Sequence, residues 1–305
     1  MRKPSYIVII FSFLVIISGC ASVPYEFGYE IEGEDTLKLG PFEKQFERGK
    51  PNAFFDGLGN YVISVPSKLI LWNLKVDNHN ISYETEEKLR QYLADNDLNN
   101  VKVRLNQYDP EEEFDRLLDN QAIGWGWKYT VGLLSVIQYT IFPGRIFGGD
   151  NYNPFTNTIN IYSDHKSIAI HEVGHAKDFA KKKYKGTNAT LRILPLVPLW
   201  QEAVATGDAI GYDRVNCLIE DEKEDYKILY PAYGTYIAGE GLRWIALPIW
   251  LSYAVMAVAV IPGHIIGRIK ANNVRADKCQ DRGLNLDYYK SNETFEIRKR
   301  MLWRD

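Results

Sequence analysis

The stretch from residue 153 to residue 180 decides the fold and reads NPFTNTINIYSDHKSIAIHEVGHAKDFA. Its residues 158–162 alternate polar side chains with two isoleucines, a period of two that predicts a β-strand over 157–162. Ser163 and Asp164 follow, and both residue types favour the N-cap position, so a helix is expected to begin there. A strand that leads directly into a helix predicts an α+β domain.

The helix contains an H-E-x-x-H pattern, formed by His171, Glu172 and His175. Residues four apart lie about 40° apart around a helix axis, so the two imidazoles point to one place from successive turns. Glu172 is rotated by about 100° and reaches the edge of the same place. Two neutral imidazoles with a neighbouring carboxylate suit a zinc site, with the carboxylate placed as a general base.

A third ligand is available downstream, in the segment PLWQEAVATGDAIGY at 198–212. This segment predicts a helix that opens with Pro198 and carries Glu202 in its first turns. Two histidines and one carboxylate leave the fourth position of a tetrahedral zinc open for water. Thr206, and not an acid, stands four residues after Glu202, while Asp208 falls on another side of the helix.

The motif HEVGHAKD resembles the H-E-x-G-H-A-x-D form of lethal-factor-type peptidases, which belong to the gluzincin group of zinc metallopeptidases. The resemblance extends over about residues 80–215. It implies that His171, His175 and Glu202 bind one zinc ion per chain, with Glu172 as the general base. It also implies that the strand at 157–162 is a sheet edge along which a peptide substrate lies extended.

Two further residues near the motif have open alternatives. Asp178 returns to the His171 face of the helix, where it either orients a ligand imidazole through its second nitrogen or is an exposed helix aspartate. Tyr230, Tyr233 and Tyr236 follow the Glu202 segment. Tyr233 is the candidate donor to the oxyanion of the transition state, and the alternative is that these tyrosines pack in the core.

The N-terminus predicts export. Arg2 and Lys3 precede the apolar run YIVIIFSFLVII, and small residues lead to Cys20, as in a secretory signal. Residues 17–20, Ile-Ser-Gly-Cys, resemble the lipobox of bacterial lipoproteins, which implies a signal peptide at 1–19 and acylation of Cys20. Ala21 permits sorting to the periplasmic side of the outer membrane. The alternative is an uncleaved signal anchor, for which the apolar run is short.

The remaining cysteines and the net charge bear on disulfide formation and on the class of partner. In an oxidising compartment Cys217 and Cys279 either form a disulfide or remain two unpaired buried thiols. The formal net charge of −3 provides no field that would attract nucleic acid, so we expect none as a partner.

Two strongly apolar stretches, near 124–148 and 244–267, end alike in IFPGRIFG and VIPGHIIG. Both are expected to be helices broken at their Pro-Gly pairs, 143–144 and 262–263. The second is long enough to cross a bilayer and the first barely so. We expect a helix pair that is buried or faces the membrane, with two spanning helices as the alternative.

Together these patterns predict a helix-rich α+β domain at 61–305 after a tether and wrapping segment at 20–60. Further helices are expected to begin near Pro66, after Ser82 and at Pro110, with a half-buried strand from Val101 to Leu105. The expected function is a lipid-anchored zinc metallopeptidase of the cell envelope that cleaves a peptide or protein substrate. The alternatives are an envelope scaffold or binding lipoprotein that keeps the fold without useful turnover, and an integral membrane protease.

Overall fold

The computed structural model describes residues 39–40, 43–243 and 247–275, and it is a helix-rich α+β fold with a small mixed sheet. The strands are β1 (Phe46–Arg48), β2 (Lys102–Leu105), β3 (Asn151–Asn153) and β4 (Thr158–Ile161). The helices are α1 (Ala53–Leu58), α2 (Val65–Leu71), α3 (Tyr83–Asp95), α4 (Pro110–Asp119), α5 (Trp125–Trp127), α6 (Leu133–Ile141), α7 (Gly144–Phe147), α8 (Lys166–Ala180), α9 (Lys185–Leu191), α10 (Val197–Val215), α11 (Ile219–Leu242) and α12 (Ile249–Asn272), with π-helical turns at Gly59–Ile63 and Lys128–Gly132.

The sheet has the strand order β1-β2-β4-β3. β1, β2 and β4 are parallel, and β3 pairs antiparallel with β4. The predicted edge position of the strand at 157–162 is therefore wrong. Residues 151–153 fold back through a short hairpin and cover that side, so the edge is β3.

β2 is buried on both faces, so the half-buried prediction for this strand is also wrong. The charged side chains of β2 are paired. Lys102 forms ion pairs with Glu47 on β1 and with Glu112 on α4, each at 2.8 Å. Arg104 pairs with Glu112 at 2.9 Å and with Glu113. Buried cations require such partners, because an unpaired charge away from water is very costly.

The motif helix α8 begins at Lys166, with His165 at its N-cap, and not at Ser163–Asp164. Those two residues bind other elements. The Asp164 carboxylate accepts hydrogen bonds from the Ser82 amide at 3.0 Å and from the Thr85 hydroxyl at 2.7 Å, at the start of α3. Asp164 therefore connects the segment before α8 to the start of α3. The prediction that Ser82 caps α3 is confirmed.

α8 packs closely on α10 because Gly174 has no side chain. A Cβ there would lie 3.1 Å from the Ala205 carbonyl oxygen. The histidines on α8 and Glu202 on α10 therefore lie on facing helices.

α11 and α12 form an antiparallel hairpin in which glycines bring the two backbones together. A Cβ at Gly263 would lie 2.5 Å from the Tyr230 carbonyl oxygen, and one at Gly267 would lie 2.2 Å from that of Tyr226. The predicted break at Pro262–Gly263 is wrong, since α12 runs through it. Packing along α11 compensates for the backbone hydrogen bond that Pro262 cannot donate.

The first apolar stretch does break where predicted, because α6 ends at Ile141 and α7 begins at Gly144. Within the predicted tether and wrapping segment at 20–60, β1 and α1 are elements of the described fold. Of the described helices, α12 has the length and apolar composition to cross a bilayer.

Candidate metal centre

Three buried side chains converge between α8 and α10. Nε2 of His171 lies 3.0 Å from Oε2 of Glu202, and Nε2 of His175 lies 3.2 Å from the same oxygen. The two imidazole planes stand at 83° to each other, with ring centroids 4.8 Å apart. The structure therefore brings together the three residues that the sequence proposed as ligands, and their ligand atoms all lie within 4.8 Å of one another.

These distances fit a zinc ion. Ligand atoms about 2.1 Å from a tetrahedral zinc stand about 3.4 Å from each other. The Nε2–Oε2 distances of 3.0 and 3.2 Å are close to that value, so small side-chain shifts suffice to admit an ion. The donor set, two imidazoles and one carboxylate, is one that zinc prefers, and a tetrahedral ion held by these three residues would have one further position for water.

The charges of the three residues depend on one another. Burial alone would raise the pKa of Glu202, but the positive charge of His175 and the hydrogen bonds from both imidazoles hold this pKa well below its usual range. Burial lowers the pKa of His175. For His171, burial acts in the same direction, but the hydrogen bond that it donates to Glu202 and the charge of Glu172 raise its pKa. Glu202 is thus ready to bind a cation as a carboxylate.

Glu172 is also buried, beside this cluster. Burial raises the pKa of its carboxyl to about 8, partly offset by His171 and reinforced by the charge of Glu202. A carboxyl that titrates near neutral pH has the proton affinity that general base catalysis needs.

Thr206 holds the outer side of His171. Its hydroxyl lies 3.4 Å from Nδ1 of His171, the nitrogen that faces away from Glu202, and Thr206 is fully buried. The position four residues after Glu202 was the sequence signal for this contact. Asp178, the predicted candidate for orienting an imidazole, forms an ion pair with Lys182 at 2.9 Å, which agrees with the alternative of a helix-surface aspartate.

Of the three tyrosines considered from the sequence, Tyr236 is the one among the residues that line the cleft. The Tyr233 hydroxyl donates to the Leu199 carbonyl at 3.1 Å and so positions the start of α10. Tyr236, three residues later on the same helix, lines the cleft beside Glu172, His175 and Glu202. Burial and the charge of Glu202 raise the pKa of Tyr236 well above its usual range, so its phenol keeps the proton.

Arg192 was missed from the sequence. Its guanidinium forms an ion pair with Oε1 of Glu202, the oxygen that does not face the imidazoles. The available signal was a single cation in the apolar run LRILPLVPLW, residues 191–200, because a charge there needs a partner.

The centre opens into a cleft of about 870 Å³. One wall is formed by α6, α7 and the loop from Gly148 to Asp150, and the other by Arg192, Ile193 and the end of α11. All three residues of the edge strand β3 also line the cleft, together with Glu172.

The predicted lipidation and disulfide concern residues at the limits of the description. Cys20 and Cys279 lie outside the described residues, so acylation and pairing stay predictions. Cys217 is half-buried, at the end of α10.

The chain matches no protein-family model, and no curated protein or solved structure is detectably similar to it. The resemblance to gluzincins therefore rests on the motif residues alone and stays a prediction.

Proposed function

We propose that this protein is a lipid-anchored zinc metallopeptidase of the cell envelope. The observation that supports it is the convergence of His171, His175 and Glu202, of which His175 and Glu202 line one cleft together with Glu172. A bound zinc ion would supply a Lewis acid that polarises the scissile carbonyl and lowers the pKa of water.

Three residues of the chain would carry out the other tasks of the reaction, which are proton transfer, stabilisation of the oxyanion and positioning of Glu202. Glu172 accepts the proton of the attacking water and returns it to the leaving amine, because its pKa of about 8 allows both protonation states near neutral pH. Tyr236 keeps its phenolic proton and donates it as a hydrogen bond to the developing oxyanion. Arg192 holds Glu202 in place through its second oxygen.

The edge strand β3 supplies a place for an extended peptide. Its residues line the cleft, and its outer side has no neighbouring strand in the described sheet. A peptide that adds to this edge by backbone hydrogen bonds would pass close to Glu172. This replaces the earlier assignment of the substrate edge to residues 157–162.

One observation favours a second candidate, a scaffold or binding lipoprotein without turnover. The ion pair between Arg192 and Glu202 satisfies a buried carboxylate without any metal. Such a chain would keep the fold and bind no zinc at stoichiometric level.

Metal content and cleavage of a peptide library separate the two candidates. We expect about one zinc per purified chain, lost in His171→Ala and Glu202→Ala and retained in Glu172→Gln. Cleavage should be lost in Glu172→Gln, while Glu220→Gln, which changes an exposed glutamate, serves as the matched control. Wild-type protein without zinc, or full activity in Glu172→Gln, would refute the peptidase.

A further inference from the structure

Exposed apolar side chains flank the cleft on its first wall. α6 and the turn that follows it carry them along one side, with exposed fractions between 43% and 63% for Leu134, Ile137, Ile141, Phe142 and Phe147. Phe142 and Phe147 also line the cleft itself. An exposed apolar surface of this extent on a soluble protein marks an interaction site.

The second wall carries a similar surface. Ile193, Leu194, Leu196 and Trp200 are at least half exposed, in the loop from α9 to α10 and the first turn of α10. The Leu196 amide donates to Glu240 at 3.1 Å, and Arg243 donates to the Ile193 carbonyl at 3.2 Å. The loop is therefore held against the tip of the α11–α12 hairpin, where Ile249 and Trp250 are exposed as well.

Leu196 shows that this exposure is maintained against local preference. Its backbone has a φ of 66°, a left-handed conformation that is unfavourable for a branched side chain, and its side chain is 67% exposed. A strained and exposed leucine is retained where the surrounding structure requires it, commonly at a functional site.

α12 extends the apolar surface away from the loop. From Ile249 to Gly267 it contains no charged residue, and its outer side exposes Tyr253, Val258 and Ile261. Its other side is in close contact with α11 through Gly263 and Gly267. One side is therefore covered by protein and the other is free for lipid, as in a helix that lies at a membrane surface.

The polar end of this surface has the residues typical of a bilayer interface. The Arg268 guanidinium lies over the Trp72 ring at 4.7 Å, and the same ring stacks on His264 at a centroid distance of 3.8 Å. Trp72 is exposed at the end of α2. Tryptophan and arginine concentrate at the level of lipid head groups, because each combines an apolar body with a polar tip.

We propose that the two apolar walls and α12 dock on a lipid bilayer, so that the cleft receives a peptide segment attached to that bilayer. The substrate class rests on the proposed peptidase activity, whereas the docking rests on the proposed acylation of Cys20 and not on that activity. The chain outside the structure argues for lipid and against a soluble partner: acylation at Cys20 would leave only residues 21–38, at most about 65 Å, between the bilayer and the described fold. The first described helical segment after that tether also exposes Phe54, Tyr61 and Val62.

The docking is tested on the full, acylated chain in vesicles of phosphatidylethanolamine and phosphatidylglycerol. A photoreactive benzoylphenylalanine is placed at position 196, 137 or 83, one position per variant. Tyr83 is the control, because it is exposed and shares its pocket with charged side chains, among them Glu84, Glu87, Arg90 and Lys166, which resist entry into a bilayer. We expect phospholipid adducts from positions 196 and 137, severalfold above position 83. Adducts to a second copy of the chain, or equal labelling at all three positions, overturn the proposal.

The substrate class is tested with one peptide sequence, presented free in solution and joined to a lipid in the same vesicles. Leu196→Glu should lower cleavage of the lipid-joined peptide about tenfold or more and leave the free peptide unchanged, because a charge resists entry into the bilayer. Tyr83→Glu should alter neither. Equal effects of Leu196→Glu on both peptides refute the membrane-attached substrate. Lipid adducts without cleavage of either peptide by wild type would instead refute the peptidase and leave the docking intact.

Discussion

Replacing Thr206 by valine removes one hydroxyl from the candidate metal centre and leaves the volume of the side chain nearly unchanged. With Nε2 of His171 bound to a metal ion, Nδ1 would carry the ring proton and donate it to the Thr206 hydroxyl, 3.4 Å away. This bond sets the tautomer and the ring orientation that a metal ligand requires.

The size of the effect follows from that distance. Loss of such an outer partner lowers metal affinity by about 10–100-fold in zinc sites. At 3.4 Å the contact is at the long end of hydrogen-bond lengths, so we expect the lower limit, about tenfold or 1.4 kcal/mol. Thr206→Ser keeps the hydroxyl and should remain within about twofold of wild type.

Competition with a chromogenic zinc chelator at fixed pH measures the affinity directly. Thermal unfolding of the metal-free proteins serves as the control for folding, since valine and threonine have nearly the same shape. If Thr206→Val binds zinc as tightly as wild type, or if serine and valine weaken binding equally, the hydroxyl does not orient His171.

Two predictions concern the stability of the fold. Burial, with the charge of Asp150, raises the pKa of Asp77 from 3.8 to about 7, so between these values the folded chain holds a proton that the unfolded chain has released. The free energy of unfolding should therefore fall by up to about 4 kcal/mol as the pH rises from 4 to 7, and urea unfolding should show this slope reduced in Asp77→Asn; an unchanged slope would assign it elsewhere. In the helix hairpin, Gly267→Ala would place a Cβ 2.2 Å from the Tyr226 carbonyl oxygen and should cost about 1–3 kcal/mol, seen as a lower Tm. Gly239→Ala, at a position with open space, should instead stabilise α11 by about 0.5–1 kcal/mol, and a similar loss in both variants would contradict close packing at Gly267.

Local pattern was sufficient for the elements that carry the site. The strand Thr158–Ile161 and the helix that follows it agree with the alternation and the H-E-x-x-H spacing, because both periods are properties of a single segment. The same reasoning placed Glu202 near one end of the next long helix and Thr206 four residues after it. Both residues meet His171 because α8 packs closely on α10 at Gly174.

Patterns failed where a distant segment supplied the partner. Asp164 looked like the cap of its own helix, but its carboxylate binds the start of α3, which lies about 80 residues earlier in the chain. Pro262 looked like a helix breaker, but close packing on α11 keeps α12 continuous. Neither outcome can be read from the neighbouring sequence, since each depends on a contact with a segment that is distant in the chain.

The sequence by itself determined the residue types and spacing of a candidate metal site, the helix that presents its histidines, and the apolar character of two stretches. The tertiary structure alone decided that β3 is the sheet edge, that Arg192 and Tyr236 reach the cleft, and that the apolar side chains face outward on both sides of it. The physical reason is the separation along the chain of the residues that interact. Helix and strand periods arise from bonds within a few residues, whereas edges, ion pairs and exposed faces arise from contacts between segments far apart in the chain.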